Sequence, residues 1–161
     1  MTDFAELLRA LGSNGVRFVI VGGTAATAHG SARLTLDLDV VYDRTPDNLA
    51  RLASALAPHR PYLRGAPPGL PFTWDASTLA RGLNFTLSTS LGDIDLFGEV
   101  AGGGTYDALV PHAIEMDLFG THCLTVGIEK LIALKRAAGR PKDLEAIAEL
   151  EEILELSSRK A

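Results

Sequence analysis

Two short stretches decide the fold of this chain: VIVGG at residues 19–23 and LDLDVV at residues 36–41. The first is apolar and β-branched, which is typical of a strand buried on both faces, and it ends at two glycines. The second alternates apolar and acidic residues, so Asp37 and Asp39 are predicted to point to one side of a second strand, roughly 7 Å apart. The Ala-rich residues 24–29 between them predict a short helix.

This strand, glycine turn and helix, followed by an Asp pair, favour a site for phosphate and metal. Gly22 and Gly23 let the backbone approach a ligand closely because no Cβ intervenes. The N-terminus of the following helix offers N–H groups and a favourable dipole end for a phosphate. The carboxylates of Asp37 and Asp39 suit a pair of Mg²⁺ ions roughly 3.5–4 Å apart, as in two-metal phosphoryl and nucleotidyl chemistry. Carboxylates this close repel each other unless a cation lies between them.

Each pattern also has an ordinary structural interpretation. An isolated Gly-Gly is usually a turn, and an isolated Asp-x-Asp is usually a solvated strand face. Here the aspartates alternate with Leu36 and Leu38, so the other face of the strand is predicted to be apolar. A later strand at residues 93–97 (DIDLF) supplies a third carboxylate. Asp95 is preferred for it because its apolar neighbours place it deeper, and Asp93, on the same face of a regular strand, is the alternative.

The rest of the chain alternates helices and strands. Helices are predicted over residues 3–11, 24–29, 48–57, 128–138 and 141–156, and strands over residues 18–21, 36–42, 83–88, 93–97, 113–119 and 122–126. Residues 58–71 hold five prolines and two glycines and predict a loop that could serve as a flexible flap. The order indicates an α/β (α+β) fold on a mixed sheet with two C-terminal helices, and residues 1–161 are predicted to form a single domain.

Composition limits the classes of protein and partner. A net charge of −5 makes long duplex DNA a poor partner, since clustered Lys and Arg drive that binding. A nucleotide is still compatible, because a metal can supply positive charge locally.

The only cysteine, Cys123, leaves no internal disulfide, which fits a reducing cytosol. Residues 1–9 do not resemble a signal peptide, and no apolar run is long enough for a bilayer, so a cytoplasmic protein without a membrane partner is expected.

Taken together, these motifs resemble the nucleotidyltransferases of the DNA polymerase beta superfamily. The fuller run of residues resembles their minimal bacterial branch, which includes the AbiEii-like and other nucleotidyltransferase toxins of toxin–antitoxin systems. The residues that carry this resemblance are Gly22-Gly23, Ala25, His29-Gly30, Arg33, Thr35, Asp37 and Asp39. Residues 131–144 are also similar to the tail of those proteins, and the resemblance is weakest over residues 58–79.

The resemblance implies a role for each matching residue. Asp37 and Asp39 would ligate Mg²⁺ or Mn²⁺, and Asp95 would complete the metal site and deprotonate the acceptor hydroxyl. Gly22 and Gly23 would bind the triphosphate. The further candidates for nucleotide contacts are Thr24, Arg33, Lys135, Arg140 and Lys142. All of these except Thr24 also have a plain interpretation: Lys135 as a solvated helix residue, Arg140 and Lys142 as charges in an interhelical turn, and Arg33 as the partner of a carboxylate.

The function implied by the resemblance is transfer of an NMP from an NTP to a hydroxyl group. The acceptor could be a tRNA end, a protein side chain or a small molecule. A toxin role would bring an antitoxin partner, and a homodimer could complete the site. The alternative is a non-catalytic module of the same fold that binds a nucleotide or a protein. A third interpretation is a plain α/β interaction domain with a solvated Asp-x-Asp and no metal.

Overall fold

The structure is a computed structural model that describes residues 1–160 of the chain. Its helices are α1 (Phe4–Ser13), α2 (Gly22–Ala28), α3 (Pro46–Leu56), α4 (Ala76–Arg81), α5 (Tyr106–Leu109), α6 (Ile128–Ala138) and α7 (Pro141–Lys160). Its strands are β1 (Phe18–Val21), β2 (Asp37–Tyr42), β3 (Tyr62–Leu63), β4 (Asn84–Thr89), β5 (Gly92–Phe97), β6 (Glu99–Val100), β7 (Gly104–Thr105), β8 (Ala113–Leu118) and β9 (Thr121–Val126).

A mixed sheet organises the fold. Within residues 1–160 it has seven strands in the order β3-β4-β5-β2-β1-β9-β8. β1 is antiparallel to β2 and parallel to β9, and β2 is parallel to β5. The predicted α/β (α+β) class, with a mixed central sheet flanked by helices and two C-terminal helices, is confirmed. β1, β2 and β5 are interior strands. The end of β1 at Val21 lies beside Asp39 of β2, which in turn lies beside Asp95 of β5.

The hydrophobic core lies against these interior strands. All four residues of β1 are buried, as their continuous apolar run predicts. In the first half of β2, the buried Leu38 and Val40 alternate with the half-buried Asp37 and Asp39, as expected for a strand with one apolar face, whereas Val41 and Tyr42 at its end are both buried. Leu36 departs from the prediction because β2 begins one residue later, and Leu36 is 63% exposed.

The helices pack in two contacting groups. α1 contacts α3, and α3 contacts α4, while α2 contacts α6, and α6 contacts α7. α1 begins at the Asp3 cap, whose carboxylate accepts from the Glu6 N–H at 3.0 Å. α6 ends at Gly139, whose φ of +65° lets the chain turn directly into α7. This tight turn places the start of α7 beside the end of α6.

The prediction of a plain loop at residues 58–71 is wrong in part. Residues 57–59 form a turn of 3-10 helix, and β3 pairs with β4 as the edge of the sheet. The hydroxyl of Tyr62 accepts from the N–H of Leu70 at 3.2 Å and donates to the carbonyl of Pro67. The backbone N–H of Arg64 donates to Thr86 at 3.0 Å, which extends the pairing beyond β3. The segment is therefore bonded to the sheet and to itself.

Across residues 1–160, no helix combines the length and the apolar composition that crossing a membrane requires.

Candidate active site

Four aspartates meet on the two parallel strands at the centre of the sheet. In the register of β2 and β5, Asp37 lies beside Asp93 and Asp39 lies beside Asp95. Carboxylate oxygens of Asp37, Asp39 and Asp95 all lie within 4.8 Å of one another. Their alternation along each strand puts them on one face of the sheet. The structure therefore brings together the three carboxylates singled out in the sequence.

Asp39 is the most strongly perturbed of the group. Burial and the neighbouring charge of Asp95 raise the pKa of the Asp39 carboxyl to about 7. Burial, with the charge of Asp95, also raises the pKa of Asp37. In the described chain, Oδ1 of Asp39 and Oδ1 of Asp95 are buried and accept no hydrogen bond. A buried carboxylate oxygen without a donor is costly, and a hard cation bound by several carboxylates would satisfy it, so this donor set fits Mg²⁺ or Mn²⁺.

Gly22 makes room for Asp39. Its φ is +63°, and a Cβ built on it would lie 2.0 Å from Oδ2 of Asp39. A Cβ on Gly23 would lie 2.6 Å from Oγ1 of Thr35. The two glycines thus bring the start of α2 against the carboxylate cluster.

Replacing Gly22 by Ala is expected to lower the free energy of unfolding by about 3 kcal/mol and to weaken Mn²⁺ binding. A left-handed conformation costs an alanine roughly 1–2 kcal/mol, and the new methyl group must also displace Asp39. Urea denaturation and Mn²⁺ titration would measure the two effects. Gly69→Ala is the matched control, because Gly69 has a φ of +87° but a Cβ added to it would meet only open space. Equal losses in the two variants would show that the approach to Asp39 is unimportant.

A cavity of about 370 Å³ opens in front of the carboxylates. Of the predicted site residues, it is lined by Gly22, Gly23, Arg33, Asp37, Asp39, Asp95, Lys135, Arg140 and Lys142. Arg33 comes from the loop before β2, and the other three cations come from the end of α6, the turn after it and the start of α7. The cavity is therefore acidic at its floor and basic along one wall, which is the charge arrangement that a metal-bound polyphosphate requires.

Lys135 is held in this wall by a buried acid. Its side chain is only 13% exposed, and its Nζ lies 3.9 Å from Oδ1 of Asp143. Burial lowers the pKa of Lys135, although the charge of Asp143 opposes the shift. Burial acts to raise the pKa of Asp143, but the hydrogen bond and charge of Arg140 outweigh it, and the net pKa is lowered. Asp143 thus stays ionised between the two cations and fixes both.

Two other predicted residues take different places. Arg33 lines the cavity and pairs with Glu145 of α7 at 3.3 Å, so both interpretations left open for it remain compatible with its position. Thr24 is buried, and its hydroxyl donates to the carbonyl of Asp37 at 3.2 Å. Its side chain therefore anchors α2 to β2, and only its backbone remains for the predicted nucleotide contact.

A second cavity of about 400 Å³ adjoins the first and is more apolar. The two share Gly22, Asp39, Phe97, Lys135 and Arg140. Beyond this shared wall, the second cavity is lined mainly by apolar side chains, among them Val100, Leu131 and Leu134. An apolar chamber next to a charged one suits a ligand with a phosphate part and an aromatic or aliphatic part.

Arg64, like Asp143, is a site residue that the sequence did not reveal. Its guanidinium lies 2.8 Å from Asp95, 3.4 Å from Asp93 and 3.6 Å from Asp37. Because the composition of residues 58–71 predicts a loop, nothing in the sequence placed an arginine beside the aspartates. The edge strand β3 could have been suspected from Tyr62-Leu63, but a two-residue apolar run is a weak signal.

No protein-family model and no curated protein matches this chain. The function is therefore argued from the geometry of the site.

Proposed function

We propose that this protein is a metal-dependent nucleotidyltransferase of the polymerase beta type. It moves an NMP from an NTP to a hydroxyl acceptor. The observation that carries the proposal is the meeting of Asp37, Asp39 and Asp95 at the floor of a cavity with a basic wall. Oxygen ligands for a hard dication and cations for a polyphosphate then lie in one chamber.

Asp37, Asp39 and Asp95 would hold Mg²⁺ or Mn²⁺ through one oxygen each. When bound, the metal would offset charge on the phosphate oxygens and so lower the barrier to attack on the α-phosphorus. The acceptor oxygen forms a bond to the α-phosphorus, the bond from that phosphorus to the bridging oxygen breaks, and pyrophosphate leaves. Asp95 would take the proton of the acceptor hydroxyl, because its carboxylate lines the cavity beside Asp37 and Asp39.

The basic wall positions the triphosphate. Lys135 is desolvated and braced by Asp143, so its ammonium loses little freedom when it meets a phosphate. Arg140 is held by the same carboxylate at 2.9 Å, which keeps its guanidinium at the cavity. Lys142 lines the cavity beside them and adds a third positive charge. Fixed cations of this kind stabilise the charge that moves to the leaving pyrophosphate.

The apolar chamber provides room for the base or for an apolar acceptor group. A tRNA end, a protein side chain or a small molecule remains compatible with a hydroxyl acceptor. The toxin role, with an antitoxin partner or a homodimer, rests on the resemblance of the sequence alone.

The first test is a thermal-shift experiment with each NTP, with and without Mg²⁺ or Mn²⁺. A ligand that binds only the native state should stabilise it by about 2.7 kcal/mol at a hundredfold excess over Kd. We expect a shift that requires metal and nucleotide together and that Asp37→Ala/Asp39→Ala removes. The matched control is Asp107→Ala/Glu152→Ala, which removes two exposed carboxylates from elsewhere on the surface.

Transfer is then tested with α-³²P-labelled NTP and total tRNA or cell protein. Label in a macromolecule, lost in the double mutant, would establish transfer. A metal-dependent thermal shift without any transfer would instead support the non-catalytic nucleotide-binding module. Absence of any shift with every NTP would overturn the nucleotide site.

A further inference from the structure

Arg64 supplies a fixed positive charge inside the acidic cluster. Its guanidinium contacts Asp37, Asp93 and Asp95 but not Asp39. Its side chain is 25% exposed, so the charge is partly shielded from water. Of the four clustered aspartates, Asp39 is the one whose charge Arg64 does not contact.

The position of Arg64 is set by backbone, independently of the carboxylates. Its own N–H donates to the carbonyl of Thr86 at 3.0 Å. Its Nη2 donates to the carbonyls of Leu87 at 2.8 Å and Ile94 at 3.3 Å. Both hydrogens of Nη2 are thereby used on β4 and β5, so the 2.8 Å contact with Asp95 is ionic without a hydrogen bond. A guanidinium held this way cannot leave when another cation arrives without breaking bonds to two strands.

A fixed charge changes how many metal ions the cluster can hold. The four adjacent carboxylates could in principle balance two dications. Arg64 already neutralises part of that charge, because its guanidinium lies 2.8 Å from Asp95, 3.4 Å from Asp93 and 3.6 Å from Asp37. A second dication would therefore face this positive charge at short range. Asp93 also contacts Arg64 but lies outside the close group of carboxylates, which leaves Asp37, Asp39 and Asp95 as the ligand set.

We propose that Arg64 is a positioning residue that limits the nucleotide-free site to one divalent ion. Its fixed charge lies beside Asp37, Asp93 and Asp95 and disfavours a second dication at that side of the cluster. This inference rests on the proposed metal site. Any second ion would then enter together with the phosphates of the nucleotide, which bring their own negative charge. The sequence alone suggested a pair of ions at Asp37 and Asp39, and Arg64 is the reason to expect one.

The test is Mn²⁺ titration of the nucleotide-free protein, with the EPR signal of free Mn²⁺ as the readout. We expect one bound ion for the wild type and two for Arg64→Gln, which removes the charge and keeps a polar side chain. Arg64→Lys restores the charge and should return the count to one. Arg60→Gln is the matched control, because Arg60 is exposed in the same segment, and it should bind one ion.

The outcomes separate this inference from the function on which it rests. Two ions on the wild type would leave the metal site standing and overturn the role of Arg64. A single ion on a folded Arg64→Gln variant would overturn it as well. Absence of bound Mn²⁺ on the wild type would overturn the metal site and, with it, this inference. A wild-type count other than one overturns the inference even if Arg64→Gln fails to fold, because the inference requires that count to be one.

Discussion

Changing Asp95 to Asn is expected to slow nucleotide transfer by about 10³-fold while the protein remains folded. The amide keeps the shape of the carboxylate but cannot take the acceptor proton, and general base catalysis alone contributes about 10²–10⁴-fold. The amide is also a weaker metal ligand than the carboxylate. Pyrophosphate release in single-turnover reactions with the acceptor found by labelling would measure the rate. Circular dichroism would verify the fold.

Asp93→Asn is the matched control for this variant. Asp93 lies two residues earlier on β5 and faces the same side, and it also contacts Arg64, but it lies outside the close triad. We expect a rate loss of less than about tenfold, since the reacting groups remain in place. A larger loss for Asp93→Asn than for Asp95→Asn would exchange their assignments. If both variants transferred nucleotide at the wild-type rate, Asp95 would have no role in the mechanism.

Changing Asp39 to Asn is expected to stabilise the metal-free protein at pH 8 and to leave its stability at pH 4 nearly unchanged. The folded-state pKa of Asp39 is raised from 3.8 to about 7. A group with a raised folded-state pKa contributes stability that is present below its unfolded pKa and is lost as the pH rises through the folded value. The wild type should therefore lose stability between about pH 4 and pH 7, and the Asn variant should lose less.

The size of this effect follows from the shift. Each pKa unit corresponds to about 1.36 kcal/mol, and part of the interaction is shared with Asp95, so we expect a gain on the order of 2–4 kcal/mol at pH 8. Urea denaturation in EDTA at pH 4 and pH 8 would measure it. Mg²⁺ should then stabilise the wild type at pH 8 but not the variant. An identical pH dependence of stability for the two proteins would show that folding does not raise the pKa of Asp39.

Local sequence patterns determined much of this protein. The bounds predicted for β1 and α6 agree with the structure at both ends. β1 is a continuous apolar run that ends at Gly22, and α6 is an amphipathic stretch bounded by Gly127 and Gly139. The Gly-Gly turn and the two aspartates of β2 were found for the same reason. Their spacing lies within one continuous segment, where the geometry of a strand fixes which side chains share a face.

Short elements that depend on packing escaped sequence analysis. The sequence of α4 contains a single buried residue, Leu79, so it shows no helical period. The helix exists because Asp75 caps it, accepting from the Thr78 N–H at 2.7 Å, and because it packs on α3. The two residues of β3 are likewise too few to indicate a strand.

The amino-acid sequence by itself determined the α/β class, the glycine turn and the pair Asp37 and Asp39. Only the tertiary structure decided that Asp95 joins them, since the parallel register of β2 and β5 is a contact between distant segments. It also decided that Asp143 braces Lys135 and that Arg64 enters the cluster. The periodicity of a segment determines which face of a helix or strand a side chain occupies. Strand register and burial place charged side chains against each other, and both depend on contacts between segments that are distant in the sequence.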